Sequence, residues 1–136
     1  MPLTDDVPKC YAEIGGRRIL DWALEALRSA GLSDIVFIGG YRIDRVRADY
    51  PSLRFRHNAA WEQNNLLASL FHAEPEMGDG FVSSYADILY TGAAAQRLVQ
   101  SRADIALLVD TDWRERYRPR TEHPETDGEK VRLSGG

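Results

Sequence analysis

Two groups of carboxylates attract attention because of what precedes them. Asp87 follows the run Phe81-Val82-Ser83-Ser84-Tyr85-Ala86, and Asp110-Thr111-Asp112-Trp113 follows Asp104-Ile105-Ala106-Leu107-Leu108-Val109. If both runs are strands of one parallel sheet, their acids project from its carboxyl edge, where open α/β sheets bind ligands. Hard oxygen donors at that edge suit Mg²⁺, which takes one or two carboxylates and completes its shell with substrate phosphates. The same residues have a plainer use, with Asp87 capping a turn and Asp110 and Asp112 capping a short helix. On spacing alone the two readings stand level. A third feature is Lys9, reached through Pro2-Leu3-Thr4-Asp5-Asp6-Val7-Pro8, an extended segment pinned by prolines. A lysine on constrained backbone is a point charge for a phosphate; a lysine after a proline is more often simply solvated.

Elements that would hold these residues can be read from periodicity. Ile19, Trp22, Ala23, Ala26, Leu27 and Ala30 form one helical stripe over 18–30, which makes Trp22 a core residue, and Gly31 supplies the stop. Residues 34–38 read as a buried strand ended by Gly39-Gly40. Ile43, Val46, Arg47 and Tyr50 mark a short helix closed by Pro51. Leu53, Phe55 and His57 alternate with Arg54 and Arg56, a strand with one polar face. A helix over about 64–73 turns Leu67, Leu70 and Phe71 inward, residues 81–85 read as a strand, and 92–101 read as helix. Residues 104–109 are the clearest buried strand of all. Strands alternating with helices predict an α/β fold with a mainly parallel sheet, and the charge-rich stretch 114–130 predicts a solvated excursion.

Composition excludes several classes. The 136 residues suffice for one domain, and 17 Lys plus Arg against 21 Asp plus Glu leave a net charge of −4, unsuited to coating nucleic acid. No apolar run approaches a membrane span, and the first residues lack the pattern of a signal peptide. The single cysteine, Cys10, rules out an internal disulfide framework and a cysteine-clustered zinc site, so a cytoplasmic protein is predicted. His57, His72 and His123 have no metal-ligand spacing. Arg114, Arg116, Arg118 and Arg120 are interleaved with Glu115 and Glu122 and favour a solvated face.

The ordered series of motifs carries a resemblance. Pro2 to Cys10, Ile14-Gly15-Gly16 and Ile19-Leu20-Asp21-Trp22 open it, followed by Ala30 to Ile35 and Gly39-Gly40-Tyr41. Asn58, Trp61, Asn64 to Leu70, Tyr85 to Tyr90, Asp110 to Trp113 and Glu129-Lys130-Val131 continue it. In this series the chain resembles the nucleotidyltransferases that make NDP-sugars, and within them the phosphocholine cytidylyltransferase-like branch. The resemblance implies a Rossmann-like, GT-A-like sheet flanked by helices. It also implies Mg²⁺-dependent transfer of a nucleotidyl group from an NTP, CTP favoured, to a small phosphorylated acceptor such as phosphocholine or a sugar 1-phosphate, with release of pyrophosphate. By the same likeness Lys9 contacts phosphates, and Asn64, Asn65 and Ser69 lie beside base and ribose. Asp87 ligates Mg²⁺, while Asp110, Asp112 and Trp113 help build the acceptor pocket. Trp113 offers a π face to a quaternary ammonium, worth about 0.5–2 kcal/mol; its plainer use is packing beneath a loop.

Family members carry a strand and a Gly-x-Gly loop ahead of the Pro-Leu-Thr segment, and further sheet with a second acidic metal ligand at the other end. On that comparison residues 1–136 read as a partial domain, lacking the first strand and the C-terminal part. A chain so truncated is expected to be poorly stable and weak in turnover. The alternative reading is a non-catalytic remnant or nucleotide-binding module of the same fold. A glycosyltransferase using Asp110-Thr111-Asp112 for its metal is more distant, because the Pro8-Lys9 segment belongs to NTP-using enzymes.

Overall fold

Helix α1 (Ile19–Ser29) owes its limits to its ends. Asp21 lies in the first turn, where the helix dipole favours negative charge. At the other end Gly31 takes φ +87°, which lets its own N–H reach Arg28 O at 3.0 Å and that of Leu32 reach Leu27 O at 3.1 Å. This is a Schellman stop, and its left-handed residue favours glycine. The computed structural model describes residues 6–120, 125–129 and 131. Glu122, His123 and Lys130, and residues 1–5 of the lysine segment, lie outside them.

Before α1, a 3₁₀ turn at Lys9–Tyr11 leads into a minimal antiparallel hairpin, β1 (Glu13–Ile14) with β2 (Arg17–Arg18). After α1 come β3 (Val36–Gly39), α2 (Ile43–Asp49) and β4 (Arg54–His57). Strands β3 and β4 pair in parallel with Val36 opposite Arg54 and Gly39 opposite His57, so α2 is the crossover of a βαβ unit. Next follow α3 (Leu66–Phe71) and α4 (Gly92–Val99), and later α5 (Trp113–Tyr117). The chain is therefore α/β, with a small parallel sheet and helices. It divides into two compact units, Met1–Ala106 and Leu107–Gly136.

The core of the first unit joins Cys10, Tyr11, Leu20, Leu24, Val46 and Leu53, with Phe37, Phe55 and Ala86 packed against it. Each large apolar side chain so buried contributes about 1.5–3 kcal/mol. Helix α4 packs on α1 at Gly92, where an added Cβ would overlap the Ser29 hydroxyl. No helix among the described residues is long and apolar enough to cross a membrane.

Several expected details are corrected. The face α1 buries is Leu20, Ala23, Leu24 and Ala26, rotated from the predicted stripe because Leu20 and Leu24 pack with Cys10 and Tyr11, while α4 also packs on the helix. Trp22 is only half-buried; its Nε1 donates to Ile14 O at 3.1 Å, and the Arg17 guanidinium covers its ring. Helix α3 leaves Leu67 and Phe71 exposed. Residues 81–85 and 104–109 are not strands, and Ile105 and Leu107 are 84% and 70% exposed. A strand exists only where a neighbouring backbone completes its ladder, and neither run is paired with β3 or β4.

Candidate active site

The carboxyl ends of β3 and β4 release the chain at Gly40 and Asn58. The two ends are tied together, since Asn58 N–H donates to Gly39 O at 2.9 Å. The Trp61 side chain lies so close to Gly40 that a Cβ there would overlap it, and the ring meets Tyr41 with 5.6 Å between centroids. Glycine is required at this position by close approach. Asn58 is 1% exposed and gathers the segment that follows. Its Nδ2 donates to Asn64 Oδ1 and Ser69 Oγ, both at 2.8 Å, and its Oδ1 accepts from Asn64 Nδ2 at 3.0 Å and Ala60 N–H at 3.1 Å. Asn65 starts α3 by accepting from Ala68 N–H at 2.9 Å, the expected use of asparagine at an N-cap. Trp61, Asn64, Asn65, Leu66, Leu67 and Ser69 line an open groove of about 520 Å³.

Lys9 is exposed, but its neighbours are not. Pro8, Cys10 and Tyr11 are buried, and Tyr11 N–H closes the turn on Pro8 O at 2.8 Å. Tyr11 Oη donates to Asp49 Oδ2 at 2.9 Å, and Arg18 reaches the same oxygen at 2.8 Å while its guanidinium lies 3.8 Å over the Tyr11 ring. These hydrogen bonds, from Arg18 first and then Tyr11, hold the Asp49 carboxyl below its ordinary range. Burial, reinforced by Asp49, pushes the Tyr11 phenol up. The backbone beneath Lys9 is therefore braced against α2.

Asp87 sits exposed in a turn whose other member, Ala86, packs into the core that holds Cys10 and Tyr11. Its charge reaches the Cys10 thiol. Burial chiefly pushes that thiol up to about 11, a backbone hydrogen bond opposes the shift, and the Asp87 carboxylate adds to it. Ala86 thus packs against the core that holds Cys10 and Tyr11. Among the described residues no group of three or more His, Cys, Asp or Glu side chains is placed to hold a metal ion. A single exposed carboxylate fits Mg²⁺ only where phosphates complete the shell.

In the second unit, Asp110 Oδ2 pairs with Arg116 Nε at 2.6 Å and Oδ1 accepts from Asp112 N–H at 3.0 Å. The guanidinium, first of these causes, holds the Asp110 carboxyl below its usual value. Asp112 precedes α5 without a side-chain cap, and Trp113 packs edge-on to Tyr117 with 5.6 Å between centroids. Both acids follow unpaired backbone, which replaces the expected strand end. The structure thus joins Asn64 and Ser69 through Asn58, packs Ala86, the residue before Asp87, against the core that holds Cys10 and Tyr11, and places Asp110, Asp112 and Trp113 in the second unit. Asn58 entered the sequence reading as a member of the motif series, without a role in positioning Asn64 and Ser69. The Tyr11–Arg18–Asp49 brace had no sequence signal, since its members lie 31 and 38 residues apart.

A βαβ unit with polar side chains grouped past the carboxyl ends of its strands is the arrangement of a ligand-binding α/β domain. The chain belongs to the MobA-like NTP transferase domain family, which it matches over residues 4–124. It is 32% identical to a CTP:phosphoglutamine cytidylyltransferase of Campylobacter jejuni over 145 aligned residues, covering 100% of this chain and 57% of that protein. It is 29% identical to the UTP–glucose-1-phosphate uridylyltransferase AglF of Haloferax volcanii, over 86% of this chain and 51% of that one. With a choline-phosphate cytidylyltransferase of Streptococcus pneumoniae it shares 23% identity, over 74% of this chain and 44% of that one. The chain spans about half the length of these curated relatives. No solved structure shows a significant match.

Proposed function

We propose that this chain serves a nucleotidyltransferase that moves a nucleotidyl group from an NTP, with CTP preferred, to a small phosphorylated acceptor and releases pyrophosphate. The observation that carries this reading is the groove at the carboxyl ends of β3 and β4, with Asn64 and Ser69 fixed in it by the buried Asn58. The relatives' names add support: two are cytidylyltransferases, and each name pairs a nucleotide with a phosphorylated compound.

In the proposed reaction an acceptor phosphate oxygen forms a bond to the α-phosphorus, and the bond from that phosphorus to the bridging oxygen breaks. The electron pair leaves with pyrophosphate. The attacking oxygen is already ionised near neutral pH, so no protein base is needed. What the protein must do is bring anions together and offset their repulsion. Lys9, on its braced turn, supplies a fixed positive charge for phosphates. Asp87 is the residue proposed to hold Mg²⁺, which when bound neutralises phosphate charge and polarises the phosphoryl group. Asn64, Asn65 and Ser69 are proposed to hold base and ribose, and Asp110, Asp112 and Trp113 to contribute to the acceptor pocket.

The test is pyrophosphate release from CTP with Mg²⁺ and phosphocholine, phosphoglutamine or glucose 1-phosphate, run beside thermal melting with each nucleotide. CTP should raise the melting temperature by linkage, and one acceptor should elicit pyrophosphate. Asp87→Ala should abolish the release without lowering the ligand-free melting temperature. A protein that gains no stability from any NTP and releases no pyrophosphate with any acceptor overturns the reading.

A further inference from the structure

The side chain of Arg42 links two parts of the first unit that the proposed reaction must bring together. Its guanidinium carbon lies 5.6 Å from the centre of the Tyr41 ring, and Tyr41 meets Trp61, a wall of the groove. Arg42 Nη2 also stands 3.9 Å from Asp6 Oδ1. Asp6 precedes Lys9 by three residues, so at most about 10 Å of chain separates them. The contacts therefore run from the groove through Tyr41 and Arg42 to the segment that carries Lys9. The backbone of Arg42 is unusual as well. It takes φ +53°, the one left-handed non-glycine residue among those described. Glycine or asparagine meets that conformation at lower cost, and such strain gathers where a side chain is used. The Asp6 contact holds the guanidinium lightly. It is long for an ion pair, and the side chains of Arg42 and Asp6 are 54% and 93% exposed, a setting in which pairing contributes little.

We infer that Arg42 binds the phosphates of a nucleotide reaching from the groove toward Lys9, and that Asp6 is the internal anion those phosphates displace. The inference rests on the nucleotide site proposed above and adds a second cation to it. A guanidinium presents its N–H donors in a planar fork that takes two phosphate oxygens at once. A triphosphate carries more charge than one carboxylate and offers more acceptors, so it outcompetes Asp6 for the same donors. Two cations on separate elements also offset the charge of a polyanion better than Lys9 alone.

The experiment is NMR titration of the native chain, Arg42→Asn and Asp6→Asn with CTP in Mg²⁺ and with cytidine, which carries no phosphate. Asparagine tolerates the left-handed backbone, so Arg42→Asn removes the charge and should not lower the ligand-free melting temperature. It should weaken CTP by about tenfold and leave cytidine within about twofold of native. Asp6→Asn frees the guanidinium and should strengthen CTP by about threefold at low salt, a gain that fades as salt rises. A merely structural role for Arg42 would weaken CTP and cytidine in the same proportion. That result, or native CTP binding in Arg42→Asn, overturns the inference and leaves the nucleotide site standing. CTP binding that is unchanged or weaker in Asp6→Asn refutes the displaced carboxylate. If the native chain binds neither CTP nor cytidine, the nucleotide site itself falls and this inference falls with it.

Discussion

Residues 35–38 (Ile-Val-Phe-Ile) and 105–109 (Ile-Ala-Leu-Leu-Val) are runs of comparable apolar character with different environments. The first contributes most of β3, pairs with β4 and packs Ile35 and Phe37 against the core. The second has no ladder partner, and its large side chains are exposed. The polar contacts differ in the same sense. Around the first region Tyr11, Arg18 and Asp49 tie a turn, a strand and a helix together. In the second unit Arg116–Asp110 and Arg118–Glu115 are exposed pairs between near neighbours in the chain, a kind worth about 0–1 kcal/mol each. Apolar content makes a segment eligible for the core; a partner backbone and a covering helix admit it.

The largest expected effect comes from truncating one leucine or isoleucine in each region. Leu24, 4% exposed on α1 and in the core cluster, should cost about 2–5 kcal/mol as Leu24→Ala. Ile105, exposed, should change stability by no more than about 0.5 kcal/mol as Ile105→Ala. Urea denaturation of both variants measures the contrast. Equal costs would break it by showing Ile105 buried in the protein as it exists in solution.

The same contrast sets how much was legible in advance. Elements α1, α2, β3 and β4 could be read because local signals and tertiary packing agree there: Gly31 stops a helix, Gly39-Gly40 ends a strand, and Pro51 follows a helix. The buried face of α1 was harder. Ala23 and Ala26 are buried as the stripe predicts, but both Ile19 with Trp22 and Leu20 with Leu24 share helical spacing with them, and only the packed neighbours choose between these pairs. Residues 81–85 and 104–109 misled because period and composition report on a side chain's preference, not on the presence of a pairing strand. For the candidate site, the sequence offers residue types and order: Lys9, Asn64, Asn65, Ser69 and Asp87. The bonds from Asn58 to Asn64 and Ser69, and those from Tyr11 and Arg18 to Asp49, became visible only in three dimensions.

An effect of intermediate size concerns acid. Asp49 and Asp110 both have carboxyls held below the ordinary value by an arginine, so each is protonated more readily in the unfolded chain than in the folded one. Stability from such a group is fully present above the ordinary aspartate value and is lost as pH falls through the depressed one. The loss therefore lies in the acid range, below about pH 5. Asp49→Asn should flatten the acid limb of a stability–pH curve and lower stability at neutral pH, because Tyr11 and Arg18 lose a shared acceptor. Asp110→Asn should leave the unfolding of the first unit unchanged across the same range. Matching curves for the two variants would erase the distinction between a carboxylate that braces the core and one that pairs on a surface.

The smallest effect tests the geometry of the proposed phosphate site without nucleotide or metal. Cys10 is buried, its thiol is pushed up to about 11, and the Asp87 carboxylate accounts for a minor part of that shift. Removing the charge with Asp87→Asn should therefore lower the Cys10 pKa slightly, while burial keeps it above the ordinary thiol value. Titration across the alkaline range, followed by the Cys10 Cβ chemical shift in NMR, reads this directly. Since Lys9 and Cys10 are consecutive members of one 3₁₀ turn, the shift reports whether the carboxylate acts on that turn. No change in the thiol on Asp87→Asn would move Asp87 away from that turn. It would remove the reason for placing a divalent cation held by Asp87 near that turn.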